Sequence, residues 1–98
     1  MPMELLTHGE HWSMVLDGVV DIFDVAAVHA AAVDARVGAP EGVIVMLGGV
    51  TVIDTAVTQV FLALKAALSS SGRTCVLEEV PASVLETWTL AGLAPALT

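Results

Sequence analysis

The chain has 98 residues, of which 56% are hydrophobic and 14% are charged, and its formal net charge is −8. This length suits one domain with a single hydrophobic core, and the apolar content argues against disorder. Eleven acidic residues stand against three basic ones, which argues against nucleic acid and anionic membrane surfaces as partners, because both are bound through clustered Lys and Arg.

Location follows from three features of the sequence. Acidic residues interrupt the longest apolar stretches, so we expect no direct insertion into a membrane. The first ten residues, MPMELLTHGE, lack the basic and apolar segments of a secretory signal. Cys75 is the single cysteine and has no partner for an internal disulfide. We therefore expect a soluble, cytoplasmic protein.

The first elements predicted along the chain are two strands. Residues 3–7 and 12–17 flank the sequence HGEH, in which Gly9 suits a hairpin turn. A second turn is predicted at Gly18. In the second strand alternate residues form one apolar face, namely Trp12, Met14 and Leu16.

A helix is predicted next, with Asp21 or Asp24 as its cap and an end near Val37. Helical spacing predicts that one apolar stripe of this helix consists of Ile22, Ala26, Ala30 and Val33.

The run GVIVML at 42–47 is apolar without alternation, which predicts a central strand covered on both faces. Gly48 and Gly49 predict a break at its end, followed by a short loop. Asp54 and Thr55 then stand where a second helix begins. Its apolar stripe is predicted to be Val57, Val60, Phe61, Leu64 and Leu68.

After the sequence SSSG, residues 73–79 predict the last strand, and Pro81 suits the first position of a third helix that ends at Gly92. The apolar stripe of this helix is predicted to be Val84, Leu85, Trp88 and Ala91. The order β-β-α-β-α-β-α predicts a single α/β domain over residues 1–98, with a mixed sheet of about four strands and about three helices.

The strongest local feature is the pair Asp54-Thr55 at the start of the second helix. Either side chain can cap the helix, because free N–H groups and the helix dipole favour an acceptor or a negative charge there. The same position would stabilise a phosphate, so Thr55 is also a candidate phosphorylation site.

The other residues that could carry chemistry give weaker indications of a functional site. His8, Glu10 and His11 invite comparison with a metal site, but no second cluster completes a ligand shell, and we expect solvated turn residues and no metal. Cys75 fits a buried thiol. Trp88 fits the core, although partial exposure would make it an interaction anchor.

No phosphate loop, dinucleotide fingerprint or nucleophile elbow is present, so we expect no cofactor and no enzyme activity. A small-ligand binder or an enzyme built on Asp21 and Asp54 stays open as an alternative, if the two helix starts lie side by side.

Three segments together resemble the STAS domain, the fold of anti-sigma-factor antagonists. They are LDGVVDIFDVAAV at 16–28, GVIVMLGGVTVIDTAVTQVFLALKAAL at 42–68 and RTCVLEEVPASVLETWTLAGL at 73–93. The resemblance covers essentially the whole chain and implies a protein-interaction module of a bacterial signalling pathway. It also implies a partner switch, in which a GHKL-type serine/threonine kinase or anti-sigma factor binds the domain and phosphorylates it, and a PP2C-type phosphatase resets it.

The resemblance assigns roles to particular residues. Asp54 matches the loop acid of the family and Thr55 its first hydroxyl position, whereas Ala56 replaces the second hydroxyl that many antagonists carry. The implied interface is the Asp54 corner with the second helix, together with neighbouring candidates. Its residues are Asp54, Thr55, Ala56, Thr58, Gln59, Asp21 and Trp88.

The same resemblance supports an alternative function. Small STAS proteins also serve as constitutive subunits on an ATPase of lipid-transport systems or in chemotaxis-type signalling complexes. The missing second hydroxyl suits such a subunit as well as it suits a switch. So apolar a chain can also form a homo-oligomer, although the sequence does not show through which surface.

Overall fold

Strands and helices follow one another along residues 3–98, the part of the chain that this computed structural model describes. The strands are β1 (Met3–Leu6), β2 (His11–Val20), β3 (Gly42–Ile53) and β4 (Thr74–Glu78). The helices are α1 (Val25–Gly38), α2 (Thr55–Ser70), α3 (Ala82–Leu90) and α4 (Ala94–Leu97), and a 3-10 turn at Ile22–Asp24 precedes α1. The predicted order of elements is confirmed, and α4 is an addition to it.

The sheet has the strand order β1-β2-β3-β4. β1 pairs with β2 antiparallel, as the predicted hairpin requires, whereas β2, β3 and β4 run parallel. The sheet is therefore mixed, as predicted. One row of neighbours across it is Leu5, Met14, Val45 and Leu77.

The core lies between the helices and one face of this sheet. β3 contributes Val43, Val45 and Leu47, all fully buried. The next residues along the strand, Ile44 and Met46, point to the opposite face and are only half-buried. The prediction that β3 is covered on both faces is therefore wrong.

The predicted break at Gly48 and Gly49 is also wrong, because β3 continues through both glycines to Ile53. Pairing with β4 ends at Met46, but β2 still runs beside β3 and supplies its hydrogen-bond partners. A Cβ atom at position 49 would lie 3.0 Å from the Cβ atom of Asp17. Gly49 thus permits close approach of two strands and makes no turn.

Gly18 likewise lies within β2, and the predicted turn there is wrong. Its φ of 65° coincides with an irregularity in the pairing of β2 with β3, between Gly18 and Val19. A backbone that must adopt positive φ at a bulge favours glycine, so the residue bends the strand without ending it.

The helices differ in how well the sequence predicted their buried faces. In α2 the predicted stripe is confirmed, although Val60 is only half-buried. In α1 the prediction is wrong, because the four predicted residues Ile22, Ala26, Ala30 and Val33 are exposed. The buried face of α1 instead comprises Val28, Ala31, Ala32 and Ala35. Almost every position of α1 is apolar, so spacing alone could not select a face.

Two details of α3 differ from the prediction. Pro81 lies just before the helix as its N-cap, with extended backbone angles, and the first helical residue is Ala82. Val84 and Trp88 are buried as predicted, but Leu85 and Ala91 are exposed. The buried face of this short helix is therefore narrower than the predicted stripe.

Candidate functional site

Two helical segments begin side by side at the carboxyl end of the parallel strands. β2 ends at Val20 and β3 at Ile53, and the backbone N–H of Asp54 donates to the carbonyl of Val20 over 2.8 Å. The start of the 3-10 turn and the start of α2 are therefore neighbours, as the Asp21–Asp54 hypothesis required. We call the surface formed by Asp54, Thr55, Ala56 and Gln59 the Asp54 corner.

Asp54 caps α2, as predicted. Its backbone is extended, and its carboxylate accepts a hydrogen bond of 2.7 Å from the N–H of Ala56. The Asp54 carbonyl also accepts from the N–H of Thr58 over 3.1 Å, which closes the first turn of the helix. The helix start is thus fixed by the carboxylate and by the backbone of one residue.

Asp21 caps the neighbouring 3-10 turn in a reciprocal arrangement. Its carboxylate accepts from the N–H of Phe23 over 3.0 Å, while the Asp24 carboxylate accepts from the N–H of Asp21 over 2.9 Å. The carboxylates of Asp21 and Asp54 each bind backbone of their own turn. Their arrangement is that of two helix caps, which gives no support to the alternative of an enzyme built on this pair.

Thr55 is the first residue of α2, and its side chain is exposed directly beside the Asp54 cap. Gln59 is exposed one turn later, whereas Ala56 between them is half-buried. The hydroxyl of Thr55 is therefore accessible, and it stands at the end of the helix where partial positive charge favours an added phosphate.

Two residues predicted for the interface are not on the surface. Thr58 and Trp88 are each only 1% exposed, because both pack between α2 and α3. The indole N–H of Trp88 donates to the Thr58 hydroxyl over 3.0 Å, and that hydroxyl donates to the Asp54 carbonyl over 3.2 Å. Both predictions are therefore corrected: these side chains are part of the core, where they connect α3 to the start of α2.

Sequence reasoning missed a set of exposed apolar residues at the same end of the sheet. Phe23 is 89% exposed, and three aliphatic residues near it or near Thr55 along the chain are more than half exposed, namely Val19, Ile22 and Val52. Val19 and Val52 are paired neighbours on β2 and β3. One feature of the sequence indicated this set: its apolar residues lie within four positions of the capping residues Asp21 and Asp54, where loop residues are normally polar.

The remaining candidates lie elsewhere. His8, Glu10 and His11 are exposed around the β1–β2 turn, where Gly9 has a φ of 82°. Among residues 3–98 the structure brings together no group of three or more His, Cys, Asp or Glu that could hold a metal ion. In the same range no helix is long and apolar enough to cross a membrane.

Cys75 is buried on the core face of β4. Burial raises the pKa of its thiol from 9.0 to about 11, although the charge of Lys65 lowers it in part. A thiol with so high a pKa is protonated at neutral pH and is a poor nucleophile. Cys75 therefore packs in the core as a small apolar side chain.

Comparison with protein families gives one match that covers almost the whole chain. The family model described as "Mlab, STAS domain" matches residues 3–98. No curated protein matches the sequence significantly.

Solved structures match along nearly the full length as well. SpoIIAA of Bacillus in its phosphorylated form superimposes with a TM-score of 0.77 at 18% identity, covering 98% of this chain and 88% of that chain. A putative anti-sigma factor antagonist of Thermotoga maritima gives a TM-score of 0.83 at 15% identity, covering 98% of this chain and 83% of that chain. The unphosphorylated form of SpoIIAA gives a TM-score of 0.77 at 17% identity, covering 90% of this chain and 82% of that chain. At these identities the matches establish a shared fold, which confirms the predicted architecture.

Proposed function

The chain belongs to the STAS domain family, and we propose that it is a non-enzymatic protein-interaction module of a bacterial signalling pathway. Its binding surface is the Asp54 corner, and phosphorylation of Thr55 regulates it. One observation carries this proposal: the Thr55 hydroxyl is exposed on the first turn of α2, beside a carboxylate that fixes the helix start.

The structure around Thr55 supports regulation by charge. A phosphate there would add about two negative charges at pH 7. The free N–H groups and the dipole of α2 would stabilise these charges, so the helix start would keep its structure. A partner bound to the corner would instead face new negative charge beside Asp54, and the complex would weaken.

Because residue 56 is alanine and offers no second hydroxyl, Thr55 is the one candidate phosphorylation site at the start of α2. Ala56 follows Thr55, is half-buried and donates its N–H to the Asp54 carboxylate. Thr58 is the next hydroxyl along α2, but it is buried and hydrogen-bonded to Trp88. Thr55 is therefore the accessible hydroxyl in the first turn. SpoIIAA, which shares the fold, has been solved in phosphorylated and unphosphorylated forms, which supports a role for modification here.

The exposed apolar residues near the corner support a protein as the partner. Phe23 and Ile22 stand directly after the Asp21 cap, and both side chains face solvent. Aromatic and aliphatic side chains of this kind provide the buried centre of protein interfaces. We propose a GHKL-type kinase or anti-sigma factor as the partner class.

Phosphorylation is tested with a purified GHKL-type kinase, ATP and mass spectrometry of the product. We expect one phosphate, located on Thr55. The Thr55→Ala variant should remain unmodified, whereas Thr51→Ala, which removes an exposed hydroxyl of β3, should be modified like the native protein. An unmodified native protein, under conditions in which the same kinase modifies a known antagonist, would refute regulation at Thr55.

A second candidate function is that of a constitutive subunit bound to an ATPase of a lipid-transport system. The observation that favours it is the combination of Ala56 at the second hydroxyl position with the match to the family model that carries the Mlab name. Binding to a purified transporter ATPase but not to a GHKL-type kinase, with no phosphate on Thr55, would select this function.

A further inference from the structure

The face of α1 that points away from the core is apolar. Its centre consists of residues spaced by four, three and four positions, all exposed, which we call the outward stripe: Ala26, Ala30, Val33 and Val37. The opposite face of the same helix is buried in the core. A helix that is apolar on both faces is normally buried on both. The outward stripe therefore lacks a covering partner within residues 3–98.

Charged and polar residues flank the outward stripe in an ordered way. At 100° per residue, His29 and Arg36 fall on one flank and Asp34 on the other. His29 and Arg36 also line an open groove of about 260 Å³ between α1 and α2. All three side chains are exposed and can reach a neighbouring helix.

We propose that the outward stripe of α1 packs against the same stripe of a second copy of this chain, with the two helices parallel about a two-fold axis. The four-three-four spacing places the apolar side chains along one seam, and the two alanines allow the helices to approach closely. The proposal concerns a different surface from the Asp54 corner and does not depend on the function of Thr55.

The polar flanks select both the occupant and the orientation, because an imidazole N–H of His29 can donate a hydrogen bond to the carboxylate of Asp34. In a parallel pair, the flank carrying His29 in one copy faces the flank carrying Asp34 in the other. A residue on the first flank then lies opposite the residue five positions later in the partner, which pairs His29 with Asp34 twice by symmetry. An antiparallel pair would bring each flank against its own copy, with Asp34 facing Asp34.

Sedimentation equilibrium over a range of protein concentration tests the surface. The apparent mass of the native protein should increase with concentration from the monomer mass of 10.1 kDa toward twice that mass. Val37→Glu places a charge in the stripe and should remain monomeric. Leu90→Glu is the matched control, because Leu90 on α3 is 83% exposed and Val37 is 77% exposed, and this variant should associate like the native protein. Circular dichroism checks that both variants fold.

Three results would overturn the proposed surface. The first is a native protein that stays monomeric at every concentration. The second is a Val37→Glu variant that dimerises as strongly as the native protein. The third is a monomer that binds neutral lipid vesicles or a different protein through Val37, which would assign the stripe to another occupant.

Two further variants test the orientation without depending on Val37→Glu. His29→Glu and Asp34→Lys should each weaken dimerisation by about two- to five-fold for each pair that is lost, and the double variant should restore it. If the double variant dimerises as weakly as the single variants, the parallel arrangement is refuted.

A cysteine cross-link tests the register directly. In parallel register, residue 30 lies opposite residue 30 of the second copy. Ala30→Cys should therefore form an intermolecular disulfide with oxidised glutathione, whereas the exposed control Thr87→Cys on α3 should not. The buried Cys75 does not compete. A cross-link that forms equally fast in both variants would contradict the register.

Discussion

Helices α1 and α2 contact each other, yet they use their apolar residues differently. In α2 the large side chains Val57, Phe61, Leu64 and Leu68 occupy one face and are buried, while small or polar residues such as Ala63 and Gln59 occupy the other. In α1 apolar residues cover both faces, and the buried one consists mainly of alanines. The buried face can be predicted where the two faces of a helix differ in side-chain size, as in α2. The number of apolar residues alone does not identify it, as α1 shows.

The difference has an energetic consequence. The stabilisation from burial grows with apolar area, so a buried Phe contributes far more than a buried Ala. We therefore expect α2 to supply most of the stability of the helical layer. The outward residues of α1 contribute little to folding of one chain and are free to serve a surface role.

The largest effect is expected from Phe61→Ala in α2. Phe61 is fully buried, and its truncation leaves a cavity, so the free energy of unfolding should fall by about 3–5 kcal/mol. The matched change on α1 is Val37→Ala, for which we expect a change within about 0.5 kcal/mol in dilute protein. Urea unfolding measures both values. Equal losses at the two positions would refute the division between the helices.

The next effect concerns the hydrogen bond from Trp88 of α3 to Thr58 near the start of α2. Thr58→Val keeps the side-chain shape but removes the acceptor for the indole N–H of Trp88, which is then buried without a partner. The free energy of unfolding should fall by about 1–3 kcal/mol.

A double-variant cycle checks the origin of that loss. Trp88→Phe removes the donor, so adding Thr58→Val to it should cost clearly less than Thr58→Val costs in the native protein. Strict additivity would mean that the two side chains do not interact, contrary to their 3.0 Å separation.

A smaller effect is expected at the caps. Asp54→Ala leaves the N–H of Ala56 without its acceptor and should lower the free energy of unfolding by about 1 kcal/mol, whereas Asp54→Asn should change it little. Asp21→Ala removes a more exposed bond of the 3-10 turn and should have the weaker effect of the two alanine changes. Chemical denaturation measures both losses, and a larger loss for Asp21→Ala than for Asp54→Ala would contradict this order.

The last effect is absent at neutral pH and appears only in alkaline solution. The pKa of Cys75 is raised by burial to about 11, so ionisation is disfavoured in the folded state relative to an ordinary value of 9.0. This contribution to stability is complete below pH 9 and is lost as pH rises toward 11. The Cys75→Ala variant should show a shallower decline in unfolding free energy across this window.

Thiol labelling gives a second check on the same residue. At pH 8 Cys75 should react slowly in the folded protein, whereas a cysteine at the exposed neighbour Val76, introduced together with Cys75→Ala, should react quickly. Equal rates would show that the core face of β4 is open.

Much of the fold could be predicted because strong local patterns determine it. The order of elements, the hairpin at Gly9 and the Asp54 cap follow from turn residues, caps and spacing. The continuation of β3 through Gly48 and Gly49 could not be predicted, because β2 rather than the local sequence supports it. Glycines that look like a turn in the sequence here allow two strands to approach.

The candidate site shows the same limit. The exposed Thr55 beside a capping acid could be predicted from position alone. The burial of Thr58 and Trp88 could not, because each is hidden by a residue 30 positions away in the chain. The exposure of Phe23 also depends on how the 3-10 turn leaves the sheet, which local spacing does not determine.

The most direct measurement of the proposed function is the dissociation constant of the purified GHKL-type partner for a series of variants at position 55. Thr55→Ala should bind like the native protein, and Thr55→Glu should bind about tenfold more weakly or worse, because it places negative charge beside Asp54 in the interface. Thr87→Glu on α3, an equal change of charge at another exposed threonine, should bind like the native protein. Native affinity of Thr55→Glu, or equal weakening by Thr87→Glu, would contradict the Asp54 corner as the regulated binding surface.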